Sequence, residues 1–404
     1  MPASVCMHVL GPARSDVRVM REATTLRAAG YDVSIVDVES APDGSVEEEV
    51  QGVWLKHIMM PSAFLSTRFK RRALLRGAQI LLRATYLLLR TPADIYHAHD
   101  VSGLLPCYIV ASLRQKPLVF DAHELPLSDM NIRPRWLLAL LGFLVARIVP
   151  RCTEVITVSP PIALAMTTRY CVPAVSVIRN VPVYKDVPGS DRLRQHLNLP
   201  AGTRIALYQG VLQPDRSLDK LVHAAPHLDP GIVIVLMGPG KKALVSDLQA
   251  LIVSQGVNDR VKILPPVDYD MLLTWTASAD IGLIVYASNT SLNVRWCMPN
   301  KLFEYLMAGL PILSAPLDAI AEVIKTYRTG RIVPSLAPTD IAASINAMLA
   351  DPAALAVMRR NALYVAKHEF RWEQEAKRLV QLYRRIEGKE DAVDACVRGQ
   401  YLHT

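Results

Sequence analysis

The sequence predicts an α/β protein built from two doubly wound parallel sheets, each in its own domain. The chain has 404 residues, too many for one ordinary domain of about 100–200 residues. Short apolar runs rich in β-branched residues alternate with longer amphipathic stretches, as in βαβ units. This alternation stops in a proline-rich segment, residues 183–202, and then starts again. We interpret that segment as a linker between two domains.

In the first half, a predicted strand at 5–10 is followed by a helix over 17–29 and a second strand at 33–38. Gly30 is a typical helix stop, since glycine tolerates a left-handed backbone. The acidic stretch 43–49 is interpreted as a solvated loop or a hairpin. The other predicted strands are apolar without alternation, which indicates burial on both faces. They are 95–98, 118–121, 155–158 and 175–178.

In the second half the same rhythm returns. The predicted strands are 205–208, 232–237, 261–264, 281–285 and 311–314, and the predicted helices include 218–225, 269–279 and 301–308. An amphipathic helix over 370–386 closes the chain, with Trp372, Leu379, Val380 and Tyr383 on one face.

The predicted organisation has an N-terminal domain at 1–182, the linker at 183–202 and a C-terminal domain at 203–368. Residues 369–404 form a helix that packs back toward the N-terminal domain, plus a tail. Doubly wound folds bind ligands at the carboxyl ends of their strands. We therefore expect the functional groups at those ends, in a cleft between the two sheets.

Composition narrows the class of protein. The chain is 51% hydrophobic and 20% charged, which is typical of a globular protein, and its net charge of +8 favours anionic partners. Six cysteines without a CxxC pair indicate neither a disulfide framework nor a zinc site. No signal-peptide pattern is visible at the N-terminus, and the longest apolar run is too short to span a bilayer. These features predict a cytoplasmic protein, either soluble or peripheral at a membrane.

Seven ordered motifs carry a more specific signal. They are YHAHD at 96–100, DAHEL at 121–125, RNVP at 179–182, YQG at 208–210, RSLD at 216–219, GPG at 238–240 and PNKLFEYLMAGLPI at 299–312. Together they resemble the retaining GT-B glycosyltransferases of family 4, and the resemblance extends from Val5 to Ile386. It implies two Rossmann-like domains facing across a cleft. The first binds the acceptor and the second binds a nucleotide diphosphate sugar as donor.

The donor presents a diphosphate, a ribose diol and a sugar ring. Arg216 lies just before a predicted helix, where its guanidinium and the helix amides can hold the diphosphate. Lys301 is a second candidate cation, or a lysine that simply faces water. Glu304 is implied by the resemblance to bind the nucleotide ribose. The remaining donor-binding candidates are small or polar residues in the same motifs and in the first loop: Gly11, Gly210, Gly238, Gly240 and Asn300.

On the acceptor side, the resemblance places His123 near the transferred sugar and the leaving phosphate. His99 and Asp100 end a neighbouring strand, where they position the acceptor or hold the cleft wall. Glu124 orients His123 or caps the next segment. The predicted catalytic set is therefore His123, Arg216 and Lys301, and the predicted acceptor-binding set is His99, Asp100 and Glu124.

The resemblance implies a front-face displacement with retention, in which the donor's own phosphate oxygen takes the acceptor proton. The sequence has no evident glycosidase-like pair of carboxylates and no DxD-type motif at a strand end of the donor half. We therefore expect no cofactor and no divalent metal.

Two positions depart from the family pattern. Members often carry a glutamate eight residues before the one matching Glu304, where this chain has Trp296. They also often carry an arginine after the glycine of the phosphate loop, where this chain has Val211. Asn293, Arg295 or Asn300 could replace the missing glutamate, and the sugar stays open.

Two segments of the N-terminal half, 61–90 and 131–151, carry arginine and lysine but no acidic residue, with apolar residues at helical spacing. Such basic amphipathic helices are typical of membrane-surface contact, although the same leucines could cover the sheet. No feature resembles a nucleic-acid-binding surface.

The sequence thus predicts transfer of a sugar to a lipid-linked saccharide at the inner membrane face, for a surface polysaccharide or a glycolipid. Three alternatives stay open: transfer to a soluble secondary metabolite, a nucleotide-sugar epimerase of the same fold, and a non-catalytic binding protein.

Overall fold

The computed structural model describes residues 2–39, 46–60, 70–130, 135–288 and 291–389, with the backbone alone at 70–74. The chain divides into two compact units. The first contains the residues up to Arg179 together with the described residues from Glu375 onward, and the second is Asn180–Gln374. Each unit is built on its own sheet.

The first unit has an eight-stranded sheet in the order β3-β4-β2-β1-β5-β6-β7-β8, parallel except for the edge strand β3. Its strands are β1 Ser4–His8, β2 Asp32–Glu39, β3 Glu47–Val50, β4 Val53–Met59, β5 Ile95–His99, β6 Leu118–Ala122, β7 Glu154–Thr157 and β8 Ser176–Val177. Its first five helices are α1 Val17–Ala28, α2 Lys70–Leu89, α3 Asp100–Arg114, α4 Arg135–Ile148 and α5 Pro160–Tyr170. The central strands are apolar because helices cover both faces of the sheet.

Local chemistry explains where α1 begins and ends. The Asp16 carboxylate accepts hydrogen bonds from the backbone N–H groups of Arg18 and Val19, which caps the helix. After Ala28 the chain turns at Gly30, whose φ is +96°, the left-handed conformation expected of a helix stop.

The acidic stretch of the first half forms a hairpin rather than a loop from Glu47 onward. β3 pairs antiparallel with β4 across a tight turn at Gln51 and Gly52, both with positive φ. Residues 43–45 lie outside the described residues. Strand β4 was not predicted, because polar residues interrupt its apolar pattern.

The second unit has a six-stranded parallel sheet in the order β11-β10-β9-β12-β13-β14. Its strands are β9 Arg204–Gln209, β10 Ile232–Met237, β11 Val261–Leu264, β12 Ile281–Ile284, β13 Ile312–Ser314 and β14 Gly330–Ile332. Its helices are α6 Arg192–His196, α7 Leu218–Ala224, α8 Lys242–Ser254, α9 Tyr269–Thr276, α10 Leu292–Trp296, α11 Asn300–Met307, α12 Asp318–Tyr327, α13 Pro338–Leu349 and α14 Pro352–His368. The short helix α6 lies inside the segment interpreted as a linker, and the edge strand β14 was not predicted.

The last described helix, α15 Trp372–Ile386, is held by both apolar and ionic contacts. Its buried apolar face contains Trp372, Leu379, Leu382 and Tyr383, so Leu382 is buried where Val380 was expected. Glu375 is fully buried and accepts hydrogen bonds from Arg179 and Arg378 at 3.1 and 2.7 Å. From Glu375 onward, this helix is part of the first unit.

No single helix in the described ranges is long and apolar enough to cross a membrane. Two helical segments joined at a bend, Pro338–Leu349 and Pro352–Ile386, meet the criterion when they are taken together, by length and composition alone. The five cysteines within the described ranges are free thiols, and Cys396 lies outside those ranges.

Candidate functional site

A cavity of about 480 Å³ opens at the carboxyl ends of β9, β10 and β12 in the second unit. It is bounded by the loops that follow these strands and by the first turn of α11. Ligands bind at this edge of a doubly wound sheet. The cavity brings together Gly210, Arg216, Gly238, Asn300, Lys301 and Glu304, six of the predicted donor-binding residues.

Glycine is required where the loops that follow β9 and β10 meet. At Gly238 the φ is +148°, and a Cβ would lie 2.1 Å from the carbonyl oxygen of Gly210. Gly210 itself has a φ of +122°. Only residues without a side chain allow this approach of two backbones, which leaves the cavity floor free for a ligand.

The other two predicted glycines differ from these. At Gly240 a Cβ would lie 2.9 Å from Cγ2 of Val245, and Gly240 pairs with Leu212 in an isolated bridge. Packing therefore explains Gly240. Gly11 belongs to the first unit, where it has a φ of +141° and open space beside its Cα.

Arg216 is held by an aromatic ring. Its guanidinium carbon lies 4.1 Å from the centroid of the Tyr286 ring, and Nη1 lies 3.5 Å from the Asp215 carboxylate. Arginine stacks well on aromatic faces because its guanidinium is planar and weakly hydrated. This stacking orients a cation along one wall of the cavity.

Lys301 follows Asn300 at the start of α11 and is only 6% exposed. Its Nζ lies 3.6 Å from the ring centroid of Tyr208 and 5.0 Å from that of Tyr286. Among the described residues, this Nζ has no hydrogen-bond partner. Burial and the nearby Arg216 lower the pKa of Lys301 well below its ordinary value. The expectation that it could simply face water is therefore wrong.

Glu304 lies one turn further along α11 and is 7% exposed. Its Oε2 accepts a hydrogen bond from Nε2 of Gln209 at 2.5 Å, and Oε1 of Gln209 accepts one from Thr276 at 2.6 Å. Burial raises the pKa of Glu304. The chain of hydrogen bonds fixes the direction of the carboxylate at the cavity edge.

Sequence reasoning gave no role to Gln209, Thr276 or the two tyrosines. Gln209 stands within the YQG motif, which is the signal that could have found it. Thr276 carries no such signal, because only the fold brings the end of α9 next to β9.

A second group of polar residues lies at the carboxyl ends of β5 and β6 in the first unit; we call it the Asp121 cluster. It contains Arg18, Glu22, His97, His99, Asp100, Asp121 and His123. Arg18 donates to both oxygens of Asp121, at 2.8 and 2.7 Å, and to the carbonyl oxygen of Ile178 at 2.9 Å. The same guanidinium lies 3.0 Å from Glu22. Arg18 and Asp121 are 3% and 0% exposed, so this is a buried ion pair.

His123 has a carboxylate at each ring nitrogen. Nε2 lies 3.1 Å from Asp121, and Nδ1 lies 3.2 Å from Asp100. The backbone N–H of His123 also donates to Asp100. Although burial opposes a charge, Asp121 and Asp100 raise the pKa of His123 to about 9. The ring is therefore an imidazolium at neutral pH.

The other predicted acceptor-side residues lie close by. Nδ1 of His99 is 3.2 Å from Nε2 of His123, and His99 stacks on His97 with centroids 4.3 Å apart. Glu124 follows His123 at the surface, where partial burial and the nearby Asp100 raise its pKa. The structure thus brings together His99, Asp100 and His123.

Two sets of side chains have the spacing of metal ligands: Glu22, His97, His99 and Asp121, and separately Asp37, Glu39 and His57. In the first set Arg18 already binds both Asp121 oxygens and faces Glu22. In the second set Arg14 lies 3.0 Å from Glu39, and Nδ1 of His57 lies 2.6 Å from Asp37. Because protein side chains already contact these carboxylates, we assign neither set to a metal.

Comparison with solved structures defines the class of protein. Sucrose-phosphate synthase from Thermosynechococcus elongatus superposes with a TM-score of 0.76 at 17% identity, covering 96% of this chain and 100% of that one. Anabaena HepE in complex with UDP-glucose gives a TM-score of 0.68 at 15% identity, covering 94% and 99%. At such identities the likeness concerns the fold. The fold is therefore that of the GT-B glycosyltransferases, with two Rossmann-like domains.

The family follows from the sequence comparisons. Residues 16–181 match the model of Glycosyltransferase Family 4, and residues 189–365 match that of Glycosyl transferases group 1. The two matches together cover most of the chain. The chain therefore belongs to the glycosyltransferases that these two models describe.

Curated relatives share this family. D-inositol 3-phosphate glycosyltransferase from Xylanimonas cellulosilytica is 29% identical over 204 residues, which is 50% of this chain and 47% of that protein. The chain thus spans about half the length of this relative. D-inositol 3-phosphate glycosyltransferase 1 from Catenulispora acidiphila is 26% identical over 405 aligned positions, 92% of this chain and 91% of that protein.

Proposed function

We propose that this protein is a glycosyltransferase that moves a sugar from a nucleotide diphosphate sugar to an acceptor. One observation carries the proposal: a cavity of about 480 Å³ holds two basic side chains, Arg216 and Lys301, beside the buried carboxylate of Glu304. Two cations match a diphosphate, and a carboxylate can accept hydrogen bonds from both hydroxyls of a ribose. Anabaena HepE has the same fold, and its structure in complex with UDP-glucose supports this assignment.

In the proposed reaction Arg216 and Lys301 stabilise the negative charge that develops on the departing nucleoside diphosphate. The bond from the anomeric carbon to the phosphate oxygen breaks, and the acceptor oxygen bonds to that carbon on the same face. Since the new bond forms on the face from which the leaving group departs, the anomeric configuration is retained, and a phosphate oxygen of the leaving group takes the acceptor's proton. Because two protein cations supply positive charge, we propose that the reaction needs no divalent metal and no cofactor.

The acceptor side is assigned to the first unit, with His123 as the charged group and His99, Asp100 and Glu124 around it. Gly11 would give the donor phosphates room beside the first loop, and Asn300 would bind the donor. The positive charge of His123, held by two carboxylates, supports a role in stabilising anionic groups during transfer. We propose that its imidazolium contributes electrostatically, since carboxylates occupy both ring nitrogens.

We further propose that the acceptor is a lipid-linked saccharide at the inner face of the cell membrane. Helix α2 exposes Leu75, Leu82 and Tyr86, which are 72%, 71% and 60% exposed and lie at helical spacing. Helix α4 likewise exposes Trp136 and Phe143, at 60% and 62%. Apolar stripes on helices that carry arginine and no acid fit the surface of an anionic bilayer. Residues 61–69 and 131–134 of the two segments lie outside the described residues.

The comparisons favour a second candidate acceptor. The curated relatives are named for D-inositol 3-phosphate, a small phosphorylated polyol. A soluble acceptor of this kind would leave the stripes on α2 and α4 without a membrane role.

The donor proposal is tested by isothermal titration with UDP, GDP, UDP-glucose and GDP-mannose. A ligand at 100 times its dissociation constant stabilises the native protein by about 2.7 kcal/mol, so thermal unfolding gives an independent readout. Glu304→Gln should weaken binding of the same ligand by roughly tenfold or more. Glu322→Gln, at an exposed carboxylate of α12, is the matched control. If none of these nucleotides binds or stabilises the protein, the proposed function is wrong.

The membrane proposal is tested by co-sedimentation with phosphatidylglycerol vesicles and with phosphatidylcholine vesicles. We expect binding to the anionic vesicles, loss of that binding at high salt, and loss in the double variant Trp136→Ser/Phe143→Ser. Leu164→Ser is the control, because Leu164 is 70% exposed on α5. Equal sedimentation of wild type and double variant would remove the membrane role and favour the soluble acceptor.

A further inference from the structure

The amine of Lys301 sits in surroundings that suit a neutral group. Nζ is buried against the Tyr208 ring at 3.6 Å, and a Cβ on Gly210 would lie 3.2 Å from it. Within the described part of the chain, Nζ has no hydrogen-bond partner. A buried ammonium without an acceptor is unfavourable, because nothing replaces the water it loses.

The charged and titratable groups around Lys301 do not supply the missing acceptor. Arg216 faces it from the turn after β9 and repels a second positive charge. The carboxylates that attract it are already engaged: Asp215 lies 3.5 Å from Arg216, and Glu304 accepts from Gln209.

The remaining groups near the amine are one thiol and two phenols. The thiol of Cys297, which precedes α11, donates to the carbonyl oxygen of Val294. Burial raises the pKa of both Tyr208 and Tyr286, so these phenols keep their protons. Their ring faces attract a cation, but more weakly than an anionic oxygen does.

A bound diphosphate would favour the charged form of Lys301 over the neutral form. Its oxygens bring negative charge into the cavity between Arg216 and Lys301, and they accept hydrogen bonds from an ammonium. Resting on the proposed function, we propose that Lys301 is uncharged in the empty cavity and takes up one proton when the donor diphosphate binds. Donor binding is then coupled to proton uptake, and release of the nucleotide returns the proton to solvent.

The coupling has a defined sign. Since burial and Arg216 lower the pKa of Lys301 in the free protein, and the diphosphate raises it, the complex holds more protons than the free protein between these two pKa values. Within that window the affinity for the donor falls as pH rises, by up to tenfold per pH unit. Below the pKa of the free protein, affinity is independent of this group.

The test is calorimetric titration of the wild-type protein with UDP-glucose and with GDP-mannose, in PIPES, HEPES and Tris buffers at one pH. These sugar diphosphates are diesters without an ionisation near neutral pH, so any proton taken up goes to the protein. We expect the observed binding enthalpy to vary with the ionisation enthalpy of the buffer, with a slope approaching one proton where the pH lies between the two pKa values.

Two variants identify the site of uptake. Lys301→Arg keeps a permanent charge, so it should bind the nucleotide without proton uptake; Lys301→Met should also show none, with weaker binding. Arg216→Lys is the control, which should bind more weakly and still take up a proton. Binding without uptake by the wild type, or equal uptake by Lys301→Arg, would overturn this inference and leave the proposed function standing. Absence of any nucleotide binding would overturn both.

Discussion

The cavity of the second unit, which we call the donor cavity, and the Asp121 cluster of the first unit both lie at the carboxyl ends of central parallel strands. The two regions differ in how their charged side chains are paired. In the Asp121 cluster, Arg18 binds Asp121 through two hydrogen bonds, and His123 lies between two carboxylates. In the donor cavity, by contrast, the Nζ of Lys301 has no partner among the described residues, and Arg216 is held mainly by the Tyr286 ring.

The buried cation Arg18 is thus paired with carboxylates inside the protein, whereas in the described part of the chain the amine of Lys301 has no partner and Arg216 has only the more distant carboxylate of Asp215. We expect the paired buried charges to contribute mainly to the stability of the folded protein, and the two basic groups of the cavity mainly to binding. Substitutions in the two places should therefore change different measured quantities.

The largest expected effect is on stability, from Arg18→Ala. The substitution leaves the buried Asp121 carboxylate without its main cation, and breaking one partner of a buried ion pair costs about 3–5 kcal/mol. Urea unfolding followed by circular dichroism measures the change. The control is Arg204→Ala, because Arg204 is 45% exposed and its ion pair with Asp280 should contribute about 1 kcal/mol or less. Similar losses for the two variants would contradict the view that the cluster is a stability element.

The next effect is on binding, from Arg216→Ala in the donor cavity. Losing charge-assisted hydrogen bonds to the diphosphate should weaken nucleotide binding by about 1.5–3 kcal/mol, with little change in unfolding free energy. Titration calorimetry with the best-binding nucleotide checks this. Arg331→Ala is the matched control, since Arg331 is exposed on the edge strand β14 and does not line the cavity. An unfolding loss as large as that of Arg18→Ala would remove the contrast between the two regions.

A smaller effect should appear in the pH dependence of stability. Asp121 and Asp100 raise the pKa of His123 from its ordinary 6.5 to about 9. The stabilisation of the folded protein that follows from this shift is fully present below about pH 6.5 and is lost as pH rises toward 9. At pH 8 the loss is on the order of 2 kcal/mol at most.

The measurement is the difference in unfolding free energy between wild type and His123→Asn at several pH values. Glu22, whose pKa burial raises to about 8, makes stability fall with pH in the same direction; since His123 also lowers the pKa of Glu22, the difference reduces this contribution without removing it. A difference that stays constant from about pH 6 to pH 9 would mean that His123 is not held as an imidazolium.

The predicted strands match those of the structure best where burial on both faces leaves an apolar run, as in β10 and β12. The prediction missed β4, where Lys56 and His57 interrupt the pattern, and the short edge strand β14. Edge strands carry weaker signals because one side of each faces away from the sheet.

In the donor cavity the motifs indicated Arg216, Lys301 and Glu304, since Arg216 precedes a helix and the other two lie in the first turns of one. The sequence could not show that Lys301 is buried without a partner among the described residues, because Tyr208 reaches it from β9 and Tyr286 from the loop after β12. Arg18 and Glu22 were missed because charged residues on a helix usually face solvent. Their i,i+4 spacing is a weak signal that many surface pairs share.

The ion pair of Arg179 with Glu375 and the hydrogen bond of Tyr383 to His97 have a consequence for biosynthesis. Both join residues of the first unit that are separated by about two hundred positions or more, because the chain completes the second unit before it supplies α15. On the ribosome, the first unit therefore lacks these contacts until the second unit has been made. A chain that stops at Gln374 leaves the buried rings of His97 and Tyr31 without their Tyr383 neighbour.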